Sequence, residues 1–423
     1  MLHLKLSRRW LIASMCSLPF GGAFAQSDLV TGSVATPAKP SPQSKLATQT
    51  EILEGRNEAP MISMGSLVAM ADAVALYEET VAGGGWADLP PAIFLKTKAK
   101  GRYVLLRERL VRENYLPFES LSVASPDVAD VELINALKAF QANHGMAPSG
   151  KMTERTIAEL NIPATDRLAA LHENLPRIRE HLAGLHPRAI LVNIPSAQLE
   201  TADFGRVHSR HNIIAGKLER PTPSLKSIVT DVTFNPYWNA PASIVARDLI
   251  PKFLSDPTYL EQMQIRVFDG VGGPEIDPLT IDWETTPSDR YHFRQQPGEH
   301  NALATVKVNF KNEFMVYMHD TPHRELFSVN NRYESSGCVR VDKVRDFISW
   351  ILNGQDGFDE GRFEMITASQ ETAVTAVRNP PDVRFMYLTA WATEDGRINF
   401  RPDIYGLDGK AFILGQPDPV EVL

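Results

Sequence analysis

The sequence predicts an α+β, multidomain protein, helical in its first half and mainly β in its second. Two patterns carry this expectation. Apolar residues recur at helical spacing up to about residue 185, as in Leu168, Leu171, Leu175 and Ile178. From residue 187, β-prone runs bounded by turn residues take over, beginning with Ala189-Ile190-Leu191-Val192-Asn193-Ile194. The 423 residues, 43% hydrophobic and 22% charged, are enough for two or three domains with packed cores. A net charge of −8 argues against a nucleic-acid partner. No apolar run reaches the roughly 18–20 residues of a membrane span.

Residues 1–25 combine a basic start (Lys5, Arg8, Arg9), a short apolar stretch from Trp10 to Phe20 and the small-residue pattern Ala23-Phe24-Ala25. In that order these are a secretory signal, with cleavage expected after Ala25. The run Ser7-Arg8-Arg9-Trp10-Leu11 leaves the export route open, and Met15 is too large to make Cys16 a lipoprotein cysteine. Loss of the three cations would leave a net charge of about −11.

Residues 26–60, rich in Ser, Thr, Pro, Ala and Gln, read as a flexible linker. A helical scaffold is expected over 61–129, with helices around 67–77 and 104–110, and a connecting helix over 164–186. Residues 187–378 read as the mainly-β domain. Its strands include 189–194, 198–202 and 210–216, and a hairpin pairs 304–310 with 314–319 about a turn at Lys311-Asn312-Glu313. Helices are expected near 243–263 and 342–353. Residues 379–423 are expected to pack on the scaffold and the mainly-β domain.

Residues 130–163 form a small helical unit. Leu133, Leu137 and Phe140 precede a glycine stop at Gly145, and Thr153 can cap a second helix carrying Ile157 and Leu160. The Phe140-Gln141, His144-Gly145-Met146 and Gly150-Lys151-Met152-Thr153 runs resemble a helical peptidoglycan-binding domain. A plain helical hairpin used for packing is the alternative.

Removing the signal leaves one cysteine, Cys338, in an exported chain, so no internal disulfide can form. It sits in Ser335-Ser336-Gly337-Cys338-Val339-Arg340, downstream of His319 and His323. Cysteine catalysis needs a thiol, a nearby imidazole and N–H donors for an oxyanion. Gly337 permits a tight backbone that aims such donors. Arg340 can lower the thiol pKa or hold an anionic substrate group. Either histidine can serve as base on this reading, and an inert buried cysteine is the competing one.

His319-Asp320-Thr321-Pro322 followed by Ser336-Gly337-Cys338-Val339-Arg340-Val341 resembles the L,D-transpeptidase catalytic domain. Further matches are Phe234-Asn235-Pro236-Tyr237-Trp238, Gln296-Pro297-Gly298 and the C-terminal runs from Tyr387 to Trp391 and from Asp403 to Asp408. The chain is similar to the large members, with a helical scaffold and a peptidoglycan-binding domain ahead of the catalytic unit. Departures are a short scaffold and Ser336 where many relatives have histidine.

The resemblance implies a mainly-β catalytic domain with a helical capping insertion over 242–300. It implies Cys338 as nucleophile and His319 as general base and acid, with the imidazole oriented by the backbone carbonyl of Asp320. Cys338 and Gly337 would supply oxyanion donors, assisted by Tyr317. Ser336 and Arg340 would support the site, and Trp238 and Tyr237 would meet substrate at the cap. It implies a periplasmic enzyme of cell-wall biogenesis acting on peptidoglycan stem tetrapeptides, without cofactor or metal, and inhibited by carbapenem-type β-lactams. Its expected product is a cross-link between third-position diamino acids. Attachment of stems to outer-membrane proteins, and a non-catalytic wall-binding role, are the alternatives.

Overall fold

The structure is a computed structural model and describes residues 46–53, 56–95 and 100–410. The expected signal peptide and its cleavage site after Ala25 lie outside the described residues, as does most of the expected linker.

The second half of the chain is built on one large sheet. Its strands are β1 (Glu51–Ile52), β2 (Arg188–Asn193), β3 (Gln198–Asp203), β4 (Arg206–Gly216) and β5 (Leu225–Phe234). Next come the cap strands β6 (Trp238–Asn239), β7 (Ile265–Phe268), β8 (Glu275–Ile276) and β9 (His292–Gln295). Then follow β10 (Val306–Phe310), β11 (Met318–His319), β12 (Tyr333–Ser335), β13 (Val339–Val341), β14 (Ala373–Ala376) and β15 (Asp382–Met386). The main path runs β4-β13-β11-β10-β5-β15-β2-β3, and β3 pairs with β4, so the path closes on itself. Closure satisfies strand edges internally and encloses a core that includes Val192, Ile213, Phe234, Val308, Met318, Val339 and Phe385.

β2 shows why its sequence reads as an unbroken apolar run. Ile190 and Val192 face that enclosed core, while Ala189 and Leu191 face a second one, so both sides of the strand are buried. The second core is supplied by two long helices, α1 (Met64–Ala82) and α6 (Ala164–Leu182), through Met70, Tyr77, Leu171 and Ile178. Ser63 caps α1 in a reciprocal box with Ser66.

Several boundaries differ from the sequence reading. β15 lies between β5 and β2 in the main sheet, so the catalytic sheet continues beyond residue 378 into the stretch expected only to pack against it. The sequence does not show this because a strand's neighbours are set by tertiary pairing. The end of the expected linker is docked: β1 pairs with β4, and Leu53, Met61 and Ile62 are buried. The hairpin of β10 and β11 is open, with residues 311–317 between the strands. Asn312 braces this loop through bonds to the Phe310 and Val316 carbonyls and the Val316 N–H. The insertion expected to be helical also contains the four-stranded sheet β6-β9-β7-β8, which packs on the helical stretch 242–255 around Phe253, Trp283 and Phe293.

The unit over 130–163 contains α4 (Val131–Asn143) and α5 (Glu154–Leu160), after α2 (Pro91–Leu95) and α3 (Arg102–Arg112). Asp130 and Thr153 cap α4 and α5, and Gly145 takes a left-handed φ of 63°. Its core is shared with the scaffold: Leu106 and Leu110 of α3 pack with Leu133, Leu137, Phe140, Ile157 and Leu160. It is also anchored to a C-terminal hairpin, β16 (Ala390–Ala392) with β17 (Ile398–Phe400). His144 stacks between Phe140 and Phe400, and Arg401 donates to the Asn143 carbonyl.

Candidate active site

β11 and β13 run parallel, with Met318 opposite Val339 and His319 opposite Arg340. Met318 and Val339 point into the enclosed core, each fully buried. Alternation along a strand then sends Tyr317, His319, Cys338 and Arg340 to the opposite face. Two sequence segments about twenty residues apart thus present the thiol and the imidazole on one surface.

His319 is buried, and its Nδ1 lies 2.5 Å from the Asp320 carbonyl oxygen. Only a protonated Nδ1 can donate there, so the neutral ring leaves Nε2 as the acceptor. Burial first, then the Arg340 and Lys307 charges, lower the imidazole pKa to about 3, against the raising effect of the Asp320 bond. Asp320 is held in turn. Its N–H donates to the Val306 carbonyl, and its carboxylate accepts from the Thr305 hydroxyl at 2.6 Å and from Arg324.

Cys338 is half-buried. Burial raises its thiol pKa, opposed by the Tyr317 N–H and hydroxyl and by the Lys307 and Arg340 charges. The Tyr317 hydroxyl also bonds the Trp238 side chain. The thiol's bonded partner is therefore Tyr317, and no hydrogen bond links it to His319 among the described residues. Catalytic bonds commonly tighten only when substrate is present. With a raised thiol and a lowered imidazole, the resting pair is a neutral thiol beside a neutral ring.

The loop that carries Cys338 is stiffened from several sides. Gly337 has a φ of 110°, open to glycine and strained for other residues. Its N–H donates to the Ser335 hydroxyl, and that hydroxyl donates to the Cys338 carbonyl. Gly337 N–H, expected among the oxyanion donors, is thus engaged by the Ser335 hydroxyl at 3.2 Å. The Cys338 N–H has no acceptor among the described residues. Thr222 donates its hydroxyl to the Gly337 carbonyl, and Tyr405 donates to the Gly216 carbonyl and accepts from Thr222 N–H. The C-terminal stretch therefore braces the site.

Ser336 accepts from Arg220, whose guanidinium makes a two-pronged pair with Asp248 of the cap. A cleft of about 320 Å³ lies between cap and loop, lined by Trp238, Lys252, Tyr259, Arg340, Ser336 and Glu334 among others. Arg340 has a buried Nε without a hydrogen-bond partner among the described residues. Tyr237 is 41% exposed and lies under the Arg294 guanidinium, away from the residues lining that cleft, so the structure separates it from Trp238. His323 lines the cleft rim, is exposed and faces Glu325. Groups of His, Cys, Asp and Glu suited to a metal ion are absent among the described residues.

Residues 187–364 match the family model of the YkuD-type L,D-transpeptidase catalytic domain. This stretch is an L,D-transpeptidase catalytic domain. A Haemophilus influenzae protein named "Putative L,D-transpeptidase" is 39% identical over 220 residues, which is 52% of this chain and 44% of that relative. The chain thus spans less than half the length of that curated relative. An L,D-transpeptidase from Mycobacterium smegmatis is 16% identical, covering 47% of this chain and 58% of that one, with a TM-score of 0.22. One from Xylanimonas cellulosilytica is 13% identical, covering 70% of this chain and all of that one, at 0.21. The assignment of the L,D-transpeptidase domain rests on the sequence match.

Sequence reasoning missed Arg220, Thr222, Thr305, Lys307 and Tyr405. None belongs to the motif, and each is brought to it by strand pairing or by a loop contact. Two signals were present: strict alternation in Val306-Lys307-Val308-Asn309-Phe310 sets Lys307 and Asn309 opposite the buried valines, and Tyr405 lies in the matched run from Asp403 to Asp408.

Proposed function

We propose that the chain is an exported, periplasmic peptidoglycan L,D-transpeptidase working through a Cys338 acyl-enzyme. The observation that carries this reading is the shared face of β11 and β13, which presents Cys338 next to an imidazole whose Nδ1 is committed to the Asp320 carbonyl.

The donor is a stem tetrapeptide. Sγ attacks the carbonyl carbon between the third residue and the terminal D-alanine, and its proton passes to His319 Nε2. The Cys338 N–H faces the oxyanion, and the Tyr317 hydroxyl that bonds the thiol supports the developing charge. Collapse breaks the C–N bond, and Nε2 returns the proton to the departing amine. A thioester remains. The side-chain amine of a diamino acid on a second stem attacks it, loses its proton through Nε2 and frees the thiol. One amide replaces another, so no ATP or other cofactor is required.

Arg340, half-buried on the cleft side, supports binding of an anionic group of the donor stem. The cleft under the cap accommodates the stem, with Trp238 at its wall. The 130–163 unit, rigidly anchored through Phe400 and Arg401, sets the catalytic domain's orientation on the polymer.

The test is mass spectrometry of muropeptides after incubation with tetrapeptide-bearing sacculi. Wild type is expected to yield cross-links between third-position residues, and Cys338→Ala none. Cross-linking that survives Cys338→Ala refutes the cysteine mechanism.

A further inference from the structure

Lys307 stands beside the catalytic pair without a counter-ion. It lies opposite His319 in the β10–β11 ladder, and His319 lies opposite Arg340 in the next. Strands are spaced about 4.8 Å apart, so Lys307, His319 and Arg340 form one cross-strand row with a cation on either side of the imidazole. Val306 and Val308 are fully buried, so Lys307 shares the face of Tyr317 and Cys338. Its Nζ lies 4.2 Å from the centre of the Tyr317 ring, and the Tyr317 hydroxyl bonds the thiol.

The ammonium has no ion-pair partner among the described residues. The carboxylate whose charge acts on it, Asp231, is satisfied elsewhere: it accepts from Asn309 at 2.6 Å, from Thr230 at 2.8 Å and from Thr233 at 3.3 Å. A half-buried ammonium held by a ring face alone retains unused hydrogen-bond donors and attracts an anion.

We propose that Lys307 is a carboxylate subsite that grips the free C-terminal carboxylate of the donor stem. This rests on the transpeptidase reading above. In that reaction the leaving group is an amino acid, and its carboxylate is two bonds from the nitrogen that departs. It must lie within a few ångströms of the carbon that Sγ attacks. The cleft under the cap is lined by Arg340 and not by Lys307, so on the transpeptidase reading the stem lies on the Arg340 side of the row and the short leaving residue falls on the Lys307 side. The subsite selects stems whose scissile bond is the last one, and it rejects chains in which an amide removes the charge or a further residue carries it out of reach.

The test uses the full chain with two soluble donors, a tetrapeptide stem and its C-terminal carboxamide, on wild type, Lys307→Met and Lys307→Arg. Wild type should prefer the carboxylate in kcat/KM by roughly 10- to 100-fold, the worth of a charge-assisted hydrogen bond. Lys307→Met should bring that preference close to one, and Lys307→Arg should restore most of it. Thermal melting shows that each variant folds, and Lys307→Arg carries the test should Lys307→Met not fold. An equal loss on both donors would overturn the subsite and leave Lys307 acting only through its charge on the thiol and the imidazole. A wild-type preference kept in Lys307→Met also overturns it while leaving the transpeptidase reading intact. A wild type that turns over neither donor would sink both.

Discussion

Arg220 joins the Cys338 loop to the cap. Its guanidinium meets both oxygens of Asp248, at 2.5 and 3.2 Å, and one of the same nitrogens donates to Ser336 at 3.0 Å. Bonds to charged groups contribute about 1.5–3 kcal/mol each when well buried. Here the two side chains are 15% and 33% exposed, so solvent screening reduces the coupling to about 1–2 kcal/mol. Since 1.4 kcal/mol is a factor of ten, Arg220→Ala is expected to shift the closed-to-open ratio of the cap by roughly 5- to 30-fold. A double-mutant cycle with Asp248→Ala isolates this number. Read as kcat/KM on a soluble tetrapeptide donor, each single variant should lose that factor, mainly through KM. The double variant should lose little more than either single one. Hydrogen exchange over 242–300 should rise in all three. Strictly multiplicative losses, with a coupling factor below about two, would refute the latch.

Three further outcomes are expected. His319 with its pKa lowered to about 3, next to a thiol raised by burial, predicts that the rate of Cys338 alkylation rises steadily into the alkaline range without an inflection between pH 5 and 7, and that His319→Ala loses both acylation and deacylation; a thiolate plateau at pH 6 would contradict the neutral pair. Phe400 is 2% exposed and packs on Tyr77, His144 and Arg167, so Phe400→Ala should cost about 3–5 kcal/mol in denaturant unfolding and free the 130–163 unit to move; a cost below 1 kcal/mol would show that the anchor is dispensable. A carbapenem should add its mass to wild type and not to Cys338→Ser in intact-protein mass spectrometry, because its strained carbonyl replaces the scissile amide; no adduct in an enzyme that cross-links stems would mean that the cap excludes the drug.

The stability of the protein should also fall in acid. His144, His181 and His211 are buried, and burial is the first cause that lowers each pKa, to about 3 for His181 and about 4 for His211. In the unfolded chain they take up protons near pH 6.5, so between that pH and the lowered values the unfolded state binds more protons. Their contribution is complete above about pH 6.5 and is lost as the pH falls toward 4. Melting temperature followed from pH 7 to pH 4 checks this, and a flat profile would contradict it.

Local chemistry made much of this protein legible from its sequence alone. Helical spacing marked α1, α3 and α6, and Asp130, Thr153 and Gly145 announced the ends of α4 and α5 because caps act within one turn. The motif around Cys338 and His319 was legible as a resemblance to the L,D-transpeptidase domain, since its residues lie in two short contiguous runs. Long-range pairing was not legible. A three-residue turn would set Lys307 opposite Tyr317, whereas the open loop held by Asn312 moves its partner to His319. Only strand order could put Asp382–Met386 in the middle of the catalytic sheet, or carry Tyr405 back to brace Thr222 beside Gly337. The direction of the pKa shifts was equally hidden, because desolvation depends on what the whole fold packs around a side chain. Composition and period act through neighbours a few residues away, while the counter-ion that Lys307 lacks is decided by strands more than seventy residues apart in the chain.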